Sequence, residues 1–209
     1  MNGAGLHLSD VACLRGGRML FRGVSLSLNA GASALLTGPN GVGKSSLLRL
    51  CAGLLPAFSG TVMRHGAVAL ADERLALDSE LPLARALDFW ARLDDSANGA
   101  VAAALDAMAL APLADVPVRI LSTGQRKRAM LARVIASGAP VWLLDEPGNG
   151  LDTASLDLLG TAVAKHLAGG GIVVTASHQP LPLGAPVILS LTDHLPDPPH
   201  LLYPGEWDA

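Results

Sequence analysis

Aromatic residues are scarce in this 209-residue chain, which has three Phe, three Trp and one Tyr. A surplus of basic residues is lacking too: the net charge of −3 offers no nucleic-acid footprint, so nucleic acid is not an expected partner. Cysteine is nearly absent. Cys13 and Cys51 have the spacing of neither a metal site nor a redox pair, and they read as buried thiols of a reducing compartment. No secretory signal is expected, because the opening MNGAGLHLSD has neither a basic start nor an apolar run. A membrane span is lacking too. The stretch from Leu167 to Thr192 contains no Asp, Glu, Lys or Arg, but Pro180, Pro182, Pro186 and several glycines break the helix of roughly 20 residues that a span requires. Half of the residues are nevertheless hydrophobic. That surplus fits a parallel sheet buried on both faces, or a surface that docks on another subunit.

What is present is the alternation of an α/β fold. Val24, Leu26 and Leu28 alternate with Ser25 and Ser27 and run into a turn at Asn29-Ala30-Gly31, which reads as a half-buried strand. LHLSDVACL reads as a second strand, and the two suggest a small antiparallel β layer at the N-terminus. ASALLTG is a short buried strand ending at Gly38. Leu47, Leu50, Cys51 and Leu54 then follow at helical spacing, with Pro56 as the stop. Residues from about 75 to 118 are rich in Ala, Leu and Asp, with breaks at Pro82, Asn98-Gly99 and Pro112. They predict a small helical lobe inserted into the core. A helix from Ser122, the strand VWLLDE, a helix over Leu156–Leu167 and the strand GIVVTAS resume the order of a parallel sheet with right-handed crossovers. The expected organisation is one domain over 1–209, with a core of 1–74 and 119–209 and the lobe at about 75–118. The tail from Pro196 predicts a loop.

Three motifs carry chemistry. GPNGVGKS comprises Gly38, Pro39, Asn40, Gly41, Val42, Gly43, Lys44 and Ser45, with Ser46 next. It lies between a predicted strand and a predicted helix, the context a phosphate-binding P-loop requires. Glycines let backbone N–H groups curl round a β-phosphate, and the helix N-terminus adds a positive dipole. Lys44 is placed for the β- and γ-phosphates and the Ser45 hydroxyl for Mg²⁺. VWLLDE is an apolar strand ending in two carboxylates. Asp145 is placed to hold Mg²⁺ and Glu146 to polarise a water for in-line attack on the γ-phosphate. In LSTGQ, Ser122 and Gln125 have the spacing of a helix capping box. Ser122, Gly124 and Gln125 also offer a phosphate donors at a helix start, though no carboxylate stands near them.

A P-loop, then LSTGQ, then a strand with Asp-Glu-Pro, then Leu-Asp, then a lone His after a strand resembles an ABC-type ATPase cassette over nearly the whole chain. The resemblance implies a P-loop NTPase fold that binds ATP and Mg²⁺ and hydrolyses ATP. It makes Asn149–Asp152 a dimer-facing loop and His178 a sensor of the γ-phosphate. It also implies a head-to-tail homodimer, in which Ser122, Gly124 and Gln125 of each subunit cap the ATP held by its partner. Three positions depart from the family. Thr123 stands where glycine is usual. No aromatic occupies CLRGGRML to stack on adenine; Arg15 lies nearest the expected place, with Phe21 as the alternative. The family's Mg²⁺-sensing glutamine should fall in LADERLAL, where Glu73 is the candidate ligand.

The strings FRGVSLSLNAG, LLTGPNGVGKSSLLRLCAGLLPAFSG and IVVTASHQPL, with the short lobe, resemble the ATPase subunits of cytochrome c maturation (haem export) systems, the CcmA subfamily. The resemblance implies integral membrane permease subunits as partners and a peripheral place on the cytoplasmic face of the bacterial inner membrane. It leaves haem chemistry to those partners: no C-x-x-C-H is present, the histidines are scattered, and direct haem binding is not expected. An ABC ATPase for another transported substrate and a soluble, non-transport ABC ATPase remain as alternatives. The absence of N-K-x-D excludes a small GTPase.

Overall fold

The computed structural model describes residues 3–72 and 76–196. Two sheets organise it. Strands β1 (Gly5–Arg15), β2 (Arg18–Asn29) and β4 (Ser59–His65) form an antiparallel sheet in the order β2-β1-β4. Strands β3 (Ser33–Thr37), β5 (Val68–Ala71), β6 (Val141–Asp145), β7 (Ile172–Ala176) and β8 (Val187–Ser190) form a parallel sheet in the order β5-β6-β7-β3-β8. Helix α1 (Lys44–Cys51) follows β3. Helices α2 (Leu83–Leu93) and α3 (Ala100–Ala107) lie between β5 and α4 (Thr123–Ala136), and α5 (Thr153–Ala168) joins β6 to β7.

The period-2 rule explains why β6 and β7 read as unbroken apolar runs: successive side chains enter different cores. Val141, Leu143, Ile172 and Val174 face α1 and the antiparallel layer, packing with Leu47, Leu48, Leu6, Phe21 and Val24. Trp142, Leu144 and Val173 face the other way, onto Ala129 and Met130 of α4 and onward to Leu83, Leu87, Leu105 and Met108. The parallel sheet is thus clamped on both faces, which fixes the loops at the carboxyl ends of its strands.

The structure departs from the sequence pattern in three places. The spacing through Leu54 predicts a longer α1, but the helix ends at Cys51 because Gly53 turns into the left-handed region (φ 76°), leaving Leu54 70 % exposed. Helix α5 starts at Thr153, earlier than Leu156, because Asp152 caps it. Strands β4, β5 and β8 are absent from the sequence reading. Six of the seven residues of β4 are exposed, so it carries no burial alternation to read; β5 and β8 have four residues each.

Both cysteines are free and buried, as their spacing predicts. Burial pushes the Cys51 thiol up to about 12 and raises that of Cys13. The aromatic pair of α2 divides. Trp90 is half-buried, donates its Nε1–H to the Ala76 carbonyl at 2.5 Å and lies 5.2 Å from the Arg133 guanidinium, whereas Phe89 is 60 % exposed.

Candidate nucleotide site

In an open α/β sheet, ligands bind beyond the carboxyl ends of the strands. Here β3 leads into the turn 38–43 and then α1, while β6 and β7 end at Asp145 and Ala176 beside it. The turn needs its glycines. Gly43 has φ 118°, and a Cβ there would stand 3.0 Å from the Phe21 ring, which packs beneath the loop. Lys44, only 8 % exposed, folds back over the turn, and its Nζ donates to the carbonyls of Gly38 at 2.7 Å and Pro39 at 3.2 Å. The ammonium is therefore held on the loop whose N–H groups would cradle phosphate.

A cleft of about 390 Å³ opens over this loop. Lys44, Ser45 and Ser46 line one side, and Asp145, Glu146 and His178 the other. Asn40, Gly41 and Gly43 also line it; Gly38, Pro39 and Val42 belong to the turn without doing so. Asp145 closes β6 and is 7 % exposed. Glu146 has φ 47°, uncommon for a residue with a side chain. Its N–H donates to the Ala176 carbonyl at 2.8 Å, and its own carbonyl accepts the Asn149 N–H at 3.2 Å. This bend turns the carboxylate into the cleft, where it meets the His178 Nε2 at 3.4 Å. The His178 side chain is 63 % exposed, so a group in the cleft can reach it.

The donor set suits a hard cation. The Ser45 hydroxyl and the Asp145 carboxylate face one cleft, and oxygen ligands of this kind, completed by phosphate oxygens and water, are those Mg²⁺ takes. Glu73, the third predicted ligand, lies outside the described residues. Among the described residues no cluster of three or more His, Cys, Asp and Glu could hold a metal ion alone.

Ser122, Gly124 and Gln125 lie outside the lining of this cleft. They form a complete capping box at the start of α4: the Gln125 N–H donates to Ser122 Oγ at 3.3 Å, and the Ser122 N–H donates to Gln125 Oε1 at 2.8 Å. This turn adjoins the loop after β6, since a Cβ on Gly124 would stand 3.9 Å from the Gly150 carbonyl. The same loop ends at Asp152, whose Oδ1 accepts the Ser155 N–H at 2.8 Å; hydrogen bonding to Ser155, its side chain first and its N–H second, holds the carboxyl below the usual aspartate range.

The predicted base platform is placed differently. Arg15 is exposed beside the hairpin turn between β1 and β2 and does not line the cleft. Phe21 is fully buried and cannot stack on a base. Leu20 lines the cleft instead, as does Asn149. Leu20 carries no signal in the sequence, where the expected platform is a ring, and Asn149 is expected there only as part of the dimer-facing loop. A larger cavity of about 640 Å³ sits at the opposite ends of the strands, walled by Ala103, Ala107, Ile135 and Trp142; its mostly apolar lining offers little to a triphosphate.

The chain is similar to known proteins. Residues 21–149 match the family model described as ABC transporter. The chain is 60 % identical over 173 residues to the cytochrome c biogenesis ATP-binding export protein CcmA of Sphingopyxis alaskensis, covering 83 % of this chain and 89 % of that protein. It is 57 % identical over 183 residues to the protein of the same name from Novosphingobium aromaticivorans, covering 88 % and 93 %. Among solved structures, a Pyrococcus furiosus protein assigned as an ABC transporter ATP-binding protein superposes with a TM-score of 0.78 at 20 % identity, over 91 % of this chain and 98 % of that one. At that identity the last likeness speaks for the fold.

Proposed function

The chain belongs to the ABC transporter family, and from that premise we propose that it is the ATP-hydrolysing subunit of a membrane complex serving c-type cytochrome biogenesis. The observation that carries the ATPase reading is the convergence of Lys44, Ser45, Asp145, Glu146 and His178 on one cleft of about 390 Å³. The biological role rests on the relatives at 60 and 57 % identity.

In this reading the P-loop N–H groups and Lys44 hold the β- and γ-phosphates. Glu146 accepts a proton from the attacking water, and His178 donates a hydrogen bond to the γ-phosphate as charge moves toward the leaving oxygen. Ser45 and Asp145 would hold Mg²⁺, with Glu73 as a candidate further ligand, and the cation would supply positive charge to the phosphate oxygens. Ser122, Gly124 and Gln125, which do not line their own chain's cleft, serve the partner copy's nucleotide in a head-to-tail dimer, so each chain holds half of two sites.

Membrane subunits supply the path for the transported species, and we assign any haem chemistry to them. Among the described residues no helix is long and apolar enough to cross a membrane. We assign the chain to the cytoplasmic face of the bacterial inner membrane, held by its partner through the lobe at about 75–118. There Phe89 and Leu93 are 60 and 67 % exposed on α2.

Two variants test the reading. Lys44→Ala should lose ATP hydrolysis and bind ATP poorly. Glu146→Gln should bind ATP, hydrolyse it at least ~10²-fold more slowly and accumulate as an ATP-bound dimer on size exclusion. Wild-type turnover in either variant rejects the site. A Glu146→Gln chain that stays monomeric with ATP rejects the shared one.

A further inference from the structure

His178 sits at the apex of a turn tied by one hydroxyl. The Ser177 Oγ–H donates to the Gln179 carbonyl at 2.9 Å and accepts the Gln179 N–H at 3.1 Å. With its neighbours joined in this way, His178 projects outward to Glu146. The Gln179 side chain packs into the backbone of the loop after β6. An added Cβ on Gly148 would stand 2.6 Å from Gln179 Oε1, 3.2 Å from its Cδ and 3.0 Å from Leu156 Cδ2. Gly148 has no positive φ that would call for glycine. The space for the amide is what its missing side chain supplies.

That amide is poorly matched to a purely structural role. Gln179 Oε1 is buried and has no hydrogen-bond partner. A buried acceptor left unpaired weakens a fold, and an apolar side chain of similar size would fill the same space without that penalty. What the amide touches is functional: Gly148 lies two residues after Glu146, and Gln179 directly follows His178.

We propose that Gln179 is a positioning residue, a side-chain wedge against Gly148 that sets the distance between the loop bearing Glu146 and the loop bearing His178. This deepens the ATPase reading and rests on it. The two loops are joined on one side by the Glu146 N–H donated to the Ala176 carbonyl at 2.8 Å. On the other side they are held by the Gln179–Gly148 contact. Removing the contact leaves His178 free to drift from the carboxylate, now 3.4 Å away, and small misplacements of reacting groups are costly to rate. Because residues 149–152 continue from Gly148, displacement of that loop would also reach the imidazole through the same wedge.

The test uses the full-length chain in Gln179→Ala, Gln179→Met, Gly148→Ala and the double variant Gly148→Ala/Gln179→Ala, with Glu146→Gln alongside. Gln179→Ala, which removes the wedge, should lower kcat about tenfold with KM for ATP within about twofold. Gln179→Met fills the same space without the orphan acceptor and should keep kcat within about twofold of the wild type, with Tm held or raised. Gly148→Ala should lower kcat comparably to Gln179→Ala, and the double variant should be no slower than either, since the amide that the new methyl meets has been removed. A Gln179→Ala variant with wild-type kcat, a Gln179→Met variant as slow as Gln179→Ala, or a double variant as slow as the product of the singles overturns the proposal. If Glu146→Gln abolishes hydrolysis while Gln179→Ala does not slow it, only the wedge fails. If Glu146→Gln is fully active, the site reading fails and takes the wedge with it.

Discussion

Leu20 is the residue whose placement changes the account of base binding most. It lines the cleft beside Gly43, whereas Arg15 stands at the hairpin turn outside the lining and Phe21 lies beneath the loop. An aliphatic surface offers area to a purine without reading its edges. Leu20→Ala should therefore weaken ATP and GTP alike, by about tenfold if the contact is worth ~1.4 kcal/mol, and Arg15→Ala by less. Titration with a fluorescent nucleotide decides; the reverse order returns the platform to Arg15. The contrast shows what was legible at this scale. Gly38 to Ser45, Asp145 and Glu146 could be read because their spacing along the chain is itself the chemistry. Leu20 could not, since its role follows from the packing of β2 under the P-loop. Nor could the contact of Gln179 with Gly148, which joins residues on different loops.

At the scale of elements, caps and alternation were readable and exposed strands were not. Strands β6 and β7 could be read because both faces are buried; β4 could not, because nearly all of it is exposed. The start of α5 depends on one carboxylate, and its titration makes the dependence measurable. The Ser155 hydrogen bond lowers the Asp152 pKa in the fold. A depressed carboxyl contributes stability above its unfolded value, about 3.9, and loses that contribution as pH falls through the lowered folded value. Asp152→Asn keeps an acceptor at the cap but does not titrate. The variant should be the less stable chain at about pH 7, and the difference should close toward about pH 3. Urea midpoints at the two pH values check this; a difference independent of pH contradicts the role of the charge.

The whole molecule brings together one complete phosphate cradle and one capping turn that lies outside its lining. That pairing is the physical reason to expect work by two copies, and the exposed Phe89 and Leu93 are the reason to expect a further partner. The overall architecture was legible because strand, helix and motif order left one arrangement; the identity of the cargo is not a property of the nucleotide cleft. In the proposed function, ATP hydrolysis by this chain drives c-type cytochrome maturation. Haem staining of denatured extracts, in a strain deleted for this gene and carrying either the wild-type gene or Glu146→Gln, tests it most directly, because only covalently attached haem survives denaturation. Staining is expected with the wild-type gene and its loss with both the empty deletion and Glu146→Gln, while b-type cytochromes persist in all three strains. Normal covalent haem in the deletion, or in the strain carrying Glu146→Gln, would contradict it.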